Sequence, residues 1–214
     1  MQTAEAQFHD NHLALAKRLF AVHTVDAAFL ALKAALVCAP GSTAGVSLFG
    51  HIGLLNGGGE GALQGFRRAL MLDGRSDPRA WMNYGNALVA ADKAADAVDV
   101  YHTVLHLDPN HVMAMTQLSV WHLSAGEVDL ARSYISELLT RADLPPRAAL
   151  RLADALRAFG AKANAQSFYD RAICPTPIIC CAAYFGRAMV LRRKEAPKAA
   201  IADFQRAIWS RRTS

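Results

Sequence analysis

The 214-residue chain repeats itself at a period of 34 residues, and that period limits it to folds made by stacking one small unit. The clearest copy starts at Asp77-Pro78. Trp81, Tyr84, Gly85 and Leu88 follow at i, i+3, i+4 and i+7, one face of a helix. Ala97, Tyr101 and Val104 form a second helical stripe. Ala90-Ala91-Asp92-Lys93 between them reads as a short turn, and Asp108-Pro109 ends the second helix because proline cannot continue it. The unit is therefore predicted to be two antiparallel helices, each apolar on one face.

The same places recur along the chain. Met115, Leu118, Ser119, Ala131, Ile135 and Leu138 occupy them one period on. Ala149, Leu152, Ala153, Leu156, Ala165, Tyr169, Ala172 and Pro177 come next, then, after a one-residue slip, Tyr184, Ala188, Leu191, Ala200, Phe204 and Ala207. Towards the start are Val46, Phe49, Gly50, Ala62, Phe66 and Ala69, preceded by Leu15, Ala16, Leu19, Ala28, Leu32, Ala35 and Pro40. An N-terminal lead of 1–8 is thus followed by units at 9–42, 43–77, 78–111, 112–145, 146–180 and 181–214. Three turns carry glycine at one place, Gly57, Gly126 and Gly160, where a positive φ is cheap. The small seats Gly85, Ala97, Ala131, Ala153, Ala165, Ala188 and Ala200 let helices approach closely, and stacking accounts for much of the chain's 42 alanines.

This pattern of small seats and aromatic or leucine knobs resembles the tetratricopeptide repeat, over 9–214. It is strongest in 78–111 and 181–214 and weakest in 9–42, where His12 replaces a bulky residue. The resemblance implies an all-α, right-handed superhelical solenoid of antiparallel helix pairs, its concave groove lined by the first helix of each unit. One pair cannot bury both its faces, so neighbours must stack.

Composition removes other classes. The chain is 53% hydrophobic and 19% charged, a globular balance, with no run of 18 apolar residues to span a membrane. The start lacks the basic and apolar regions of a secretory signal, and four cysteines without a CxxC pair argue against a disulfide framework or zinc ribbon. A cytoplasmic location is expected. No GxxxxGK[ST], GxSxG or HExxH occurs, so no enzymatic activity and no cofactor are expected. The glycine-rich 56–61 lacks the lysine of a phosphate loop and falls at a predicted turn. Asp99, His102 and His106 share a helix face, but an outward one that reads as solvated. Cys174, Cys180 and Cys181 read as small packing residues, and Trp121 stands outside the repeat pattern.

The groove face of the first helices would carry Arg79, Asn83 and Asn86 in the third unit, Gln117 in the fourth, and Arg147 and Arg151 in the fifth. Amides donate to and accept from an extended peptide backbone, and arginine meets carboxylates bidentately. The competing reading is plain polar surface, with Asp154 pairing Arg151. Within the resembled family, one subfamily grips acidic chaperone C-termini with a set of lysines, asparagines and an arginine. Asn83 could be its middle asparagine, but the flanking units offer Ser47 and His51, then Met113 and Gln117, so that clamp is absent.

Charge is uneven. Residues 181–214 hold eight Lys/Arg and two acids, so the last unit carries +6 and the remainder −1. Its basic patch is Arg192, Arg193, Lys194, Arg211 and Arg212. No aromatic interleaves with it, so no nucleic acid is expected; the patch reads first as a solvated helix end, with an acidic protein surface as the alternative. Ile201, Ile208 and Trp209 on the last helix would lack a further repeat to cover them, which points to self-association or a partner there. The sequence therefore reads as a non-enzymatic scaffold or adaptor binding a peptide or helix in its groove. The alternatives are a substrate-recruiting module of a bacterial enzyme such as a glycosyltransferase, or a secretion or assembly chaperone.

Overall fold

Each predicted stripe becomes a helix, and the helices pair in chain order. The structure, a computed structural model, describes residues 4–56, 58–72, 75–173, 176–193 and 196–212. Among them are twelve helices and no strand: α1 Ala4–Ala21, α2 Val25–Cys38, α3 Thr43–Leu55, α4 Gly59–Leu72, α5 Pro78–Ala90, α6 Ala94–Leu107, α7 Val112–Ala125, α8 Val128–Thr140, α9 Pro146–Phe159, α10 Lys162–Ala172, α11 Pro177–Arg193 and α12 Pro197–Arg212. The fold is an all-α array of antiparallel helix pairs, as the period predicts. The chain divides into two compact units, residues 1–109 with α1–α6 and residues 110–214 with α7–α12. Two boundaries differ from the register. α1 starts inside the predicted lead, and α11 starts at Pro177, ahead of 181. Proline tolerates that first helical position, where its missing N–H has no partner to lose.

Local chemistry sets the helix ends. The Ser42 hydroxyl accepts from the Gly45 N–H at 3.2 Å to start α3. Asp77 accepts from the Arg79 N–H at 2.9 Å, with Pro78 in the first turn of α5. His111 Nδ1 accepts from the Ala114 N–H at 3.2 Å and opens α7. Each removes one of the orphan donors that a helix start leaves. Gly126 and Gly160 end α7 and α9 with φ of +79° and +91°. The same place in the first and third repeats is held by His23 and Asp92, at +60° and +58°. The left-handed turn belongs to the register, and glycine is only its easiest occupant. Gly57 lies outside the described residues.

The small seats are buried as expected: Ala97, Ala131, Ala153, Ala165, Ala188 and Ala200 are all at most 3% exposed. The ring and leucine knobs Leu32, Phe66, Tyr101, Leu138, Leu152 and Tyr169 are buried with them, each at most 2% exposed. Arginines tie successive pairs together. Arg68 donates to the Pro40 carbonyl at 2.9 Å, and Arg171, at the same register place, donates to the carbonyls of Leu138, Leu139 and Arg141 where α8 ends. A cation there meets the negative end of the helix dipole.

Candidate protein-binding faces

The first helices carry the expected groove residues, with unequal freedom. On α5 the Arg79 side chain is 86% exposed, 3.5 Å from Asp77. Asn83 is half-buried. Asn86 is half-buried as well, but its Oδ1 accepts the Tyr101 hydroxyl at 3.1 Å. On α7 Gln117 is 7% exposed and presents little surface to a ligand. On α9 Arg147 and Arg151 are exposed one turn apart, and no carboxylate among the described residues pairs with either.

The reason lies one turn further along α9. Asp154 does not pair with Arg151, contrary to the plain-surface reading. Its Oδ1 accepts the Tyr169 hydroxyl at 2.6 Å and lies 3.7 Å from Arg157, whose Nε donates to the same hydroxyl at 2.9 Å. Burial, then the bond to Asp154, holds the Tyr169 hydroxyl well above the usual tyrosine range. The bond to Tyr169 is the main cause raising Arg157.

This bond reveals a ladder that the sequence reading missed. His51, Asn86 and Asp154 share one register place on their first helices, and Phe66, Tyr101 and Tyr169 share one on the second. His51 meets the Phe66 ring edge-on at 4.9 Å, Asn86 takes the Tyr101 hydroxyl, and Asp154 takes that of Tyr169. The readable signal was covariation: an acceptor appears wherever the ring carries a hydroxyl.

A second missed cluster joins α10, α11 and α12. Asp203, its side chain 2% exposed, takes Arg187 bidentately at 2.7 and 2.8 Å and Arg206 at 3.0 Å. Arg187 also reaches Asp170 at 2.5 Å, and both arginines lie over the Tyr184 ring. These bonds, to Asp203 foremost, raise the Arg187 pKa further above its already high value. A crevice of about 410 Å³ opens beside them, lined by Gln166, Asp170, Leu191 and Ala199 with the cluster itself. Its charges are paired with one another. Removing one partner would leave a buried charge, so the cluster fastens the last two repeats. The hint in the sequence was an aspartate at 203 in the buried stripe of α12. His122, 7% exposed, is likewise engaged: Nδ1 lies 2.6 Å from Glu127, and the ring stacks 6.2 Å from Tyr134.

The remaining expectations fall as follows. Arg192 is exposed; Lys194 and the side chains of Arg193, Arg211 and Arg212 lie outside what the structure describes. Ile201, Ile208 and Trp209 are 57%, 58% and 69% exposed. Trp121 is half-buried and its indole N–H has no partner among the described residues. Asp99, His102 and His106 are exposed, and among the described residues no three His, Cys, Asp or Glu side chains gather. Cys180 and Cys181 are half-buried free thiols, and Cys174 lies outside the described residues. None of the helices described is long and apolar enough to cross a membrane.

Paired helices, small seats and a left-handed turn at a 34-residue interval define a repeat protein of stacked helical hairpins. The tetratricopeptide repeat profile matches residues 56–112 and 121–177, more than half of the chain, and the chain belongs to that family. PilW, a type IV pilus biogenesis factor, superposes with a TM-score of 0.76 at 17% identity, over 92% of this chain and 90% of that one. Pseudomonas aeruginosa pilF gives 0.70 at 18%, over 94% and 90%. An O-GlcNAc transferase of Thermobaculum terrenum gives 0.50 at 25%, over 74% of this chain and 27% of that one. No curated protein sequence matches the chain. These likenesses establish the fold, and that fold supports a protein-interaction scaffold.

Proposed function

We propose that the chain is an adaptor that holds an extended peptide or helix of another protein against the first-helix faces of its repeats. Arg79 and Asn83 serve in the first unit, and Arg147 and Arg151 in the second. The observation that carries this reading is the Arg147–Arg151 pair: two exposed guanidinium groups on one helix face, with the nearest acid on that helix, Asp154, committed to Tyr169 and Arg157. Two unpaired guanidinium groups one turn apart suit carboxylates of a bound chain. Asn83 has no hydrogen-bond partner among the described residues, and its amide suits a peptide backbone.

The test is affinity capture from the source cell, comparing the wild type with Asn83→Ala/Arg151→Glu. The double variant is expected to lose its principal protein partner while its circular dichroism stays that of the wild type. A prey list unaltered by the substitutions would overturn the assignment to this face.

A further inference from the structure

The α4–α5 junction of the first unit carries a pocket on a different side of α5 from the Arg79–Asn83 face. Arg79 and Asn83 are one turn apart, whereas Trp81 and Tyr84, three positions apart, stand on another side of that helix. With Arg67, Leu70 and Met71 of α4 and with Arg75, these two rings line a space of about 240 Å³. Leu70 is buried, and Trp81 and Tyr84 are half-buried, their rings edge to face at 6.4 Å. The Trp81 indole N–H donates to the Arg75 carbonyl at 2.9 Å and fixes the connection between the two helices at that point. Arg75 has a φ of +64°, a left-handed conformation that is costly for a residue with a Cβ, and its Nη2 lies 3.8 Å from Met71 Sδ.

Neither cation is answered by a described carboxylate. Arg67 and Arg75 are both exposed, and no carboxylate among the described residues lies within ion-pair distance of either. The described acids nearest them in sequence, Asp77 and Glu60, are paired with Arg79 and Lys93. By the 34-residue register, Arg67, Trp81 and Tyr84 stand where the α10–α11 junction has Asp170, Tyr184 and Arg187. There the two charges meet across the junction at 2.5 Å, and Arg187 lies over the Tyr184 ring at 5.3 Å. At α4–α5 the cation sits on the other helix, and the acid has no counterpart among the described residues.

We infer that this pocket binds an acidic peptide segment of another protein, through one aromatic side chain flanked by carboxylates. A phenylalanine ring fits a space of this size and meets the two rings, Leu70 and the Met71 thioether that line it. The flanking carboxylates take Arg67 and Arg75, as Asp170 takes Arg187 at the other junction. The Tyr84 hydroxyl has no hydrogen-bond partner among the described residues and is a further donor for them. A single-stranded nucleic acid is the poorer fit. Successive bases stack on open ring faces, and here the two rings stand at 76° to each other and are half-buried.

The test is nuclear magnetic resonance on the full chain with isotope-labelled tryptophan, which gives an indole N–H signal for each of the three tryptophans. Trp81→Phe identifies the Trp81 signal by its loss. The probe is the end-blocked peptide Asp-Glu-Phe-Asp-Glu, titrated to about millimolar concentration. It is expected to move the Trp81 signal to saturation, and to bind about tenfold more weakly to Arg67→Glu and to Arg75→Glu. Both positions are exposed, and circular dichroism verifies the fold of each variant. Raising the salt about tenfold should weaken binding as well. A Trp81 signal that the peptide leaves in place would overturn the proposal. So would equal binding of Lys-Lys-Phe-Lys-Lys, or of the acidic peptide with serine in place of phenylalanine. An oligothymidylate that moves the signal where the peptide does not would assign the pocket to nucleic acid instead. Arg151→Glu should leave the affinity unchanged, which separates this outcome from that of the first-helix reading; a loss there would return the peptide to that face and overturn the pocket.

Discussion

The third and fifth repeats put the same ring in the same place and surround it differently. Tyr101 and Tyr169 are 2% and 0% exposed, each with its hydroxyl bonded to the residue fifteen positions earlier. In the third repeat that acceptor is a neutral amide, Asn86, and the glycine against the ring is Gly85 of the same repeat. In the fifth it is a carboxylate shared with Arg157, and the glycine against the ring is Gly186 of the following repeat. One tyrosine locks its own hairpin; the other also locks a neighbour. Register fixes where a ring sits. What it fastens depends on which neighbouring backbone lacks a Cβ.

The sharpest way to break this comparison is to add that Cβ. In Gly186→Ala the new methyl would have three Tyr169 atoms within 2.6 Å, whereas in Gly85→Ala only Tyr101 Cε1 comes that close and the next atoms are 3.1 and 3.2 Å away. Overpacking a core costs about 1–3 kcal/mol, offset here by the roughly 0.5–1 kcal/mol by which alanine exceeds glycine as a helix former. Gly186→Ala is expected near the upper end, about 2–3 kcal/mol, and Gly85→Ala near about 1 kcal/mol, both read by urea unfolding. Equal losses would show that the two rings have the same room to move.

Removing the hydroxyls should have a smaller effect. Tyr169→Phe loses a bond to a charged acceptor, worth about 1.5–2 kcal/mol, and Tyr101→Phe a neutral one, worth about 1 kcal/mol. Tyr169→Phe should also change the pH response. Burial raises the Tyr169 pKa above the ordinary value near 10. A group that binds its proton more tightly when folded adds stability that is complete below the unfolded pKa. That stability is lost as pH climbs through the raised one. Wild-type stability should therefore fall above about pH 10, and Tyr169→Phe should flatten that fall. An alkaline profile that Tyr169→Phe leaves unchanged would mean that burial does not hold the Tyr169 proton.

The ring positions themselves were legible from one chain, because the 34-residue period fixes which side chains face which. The buried alanines, the end of α6 at Asp108-Pro109 and the turns at Gly126 and Gly160 all follow from it. The partners were less legible. Asp154 sits one turn from both Arg151 and Arg157, and spacing alone cannot choose between them. The choice is made by Tyr169, whose hydroxyl bonds Asp154 and Arg157 together from another helix. Gln117 occupies a groove place in the register and is nevertheless buried. Arg187 stands where other repeats place Leu118 or Leu152, and only the fold shows that Asp170 and Asp203 answer its charge. Periodicity reports helix faces; it does not report which polar atoms meet across them.

The turns give the mildest contrast between the same two repeats. Gly160 and Asp92 hold one register place, at φ of +91° and +58°. A side chain in the left-handed region costs roughly 1–2 kcal/mol, and aspartate tolerates it better than most residues. Glycine removes that cost but loses more chain entropy on folding, by roughly 0.5–1 kcal/mol. Asp92→Gly should therefore gain no more than about 0.5 kcal/mol, while Gly160→Ala, which brings a Cβ into the same backbone state, should lose about 1 kcal/mol. Space plays no part at Gly160, since a Cβ there would meet nothing within 4 Å. The loss would report backbone strain alone. If Asp92→Gly instead destabilises, the aspartate contributes something to the third repeat that the turn geometry does not contain.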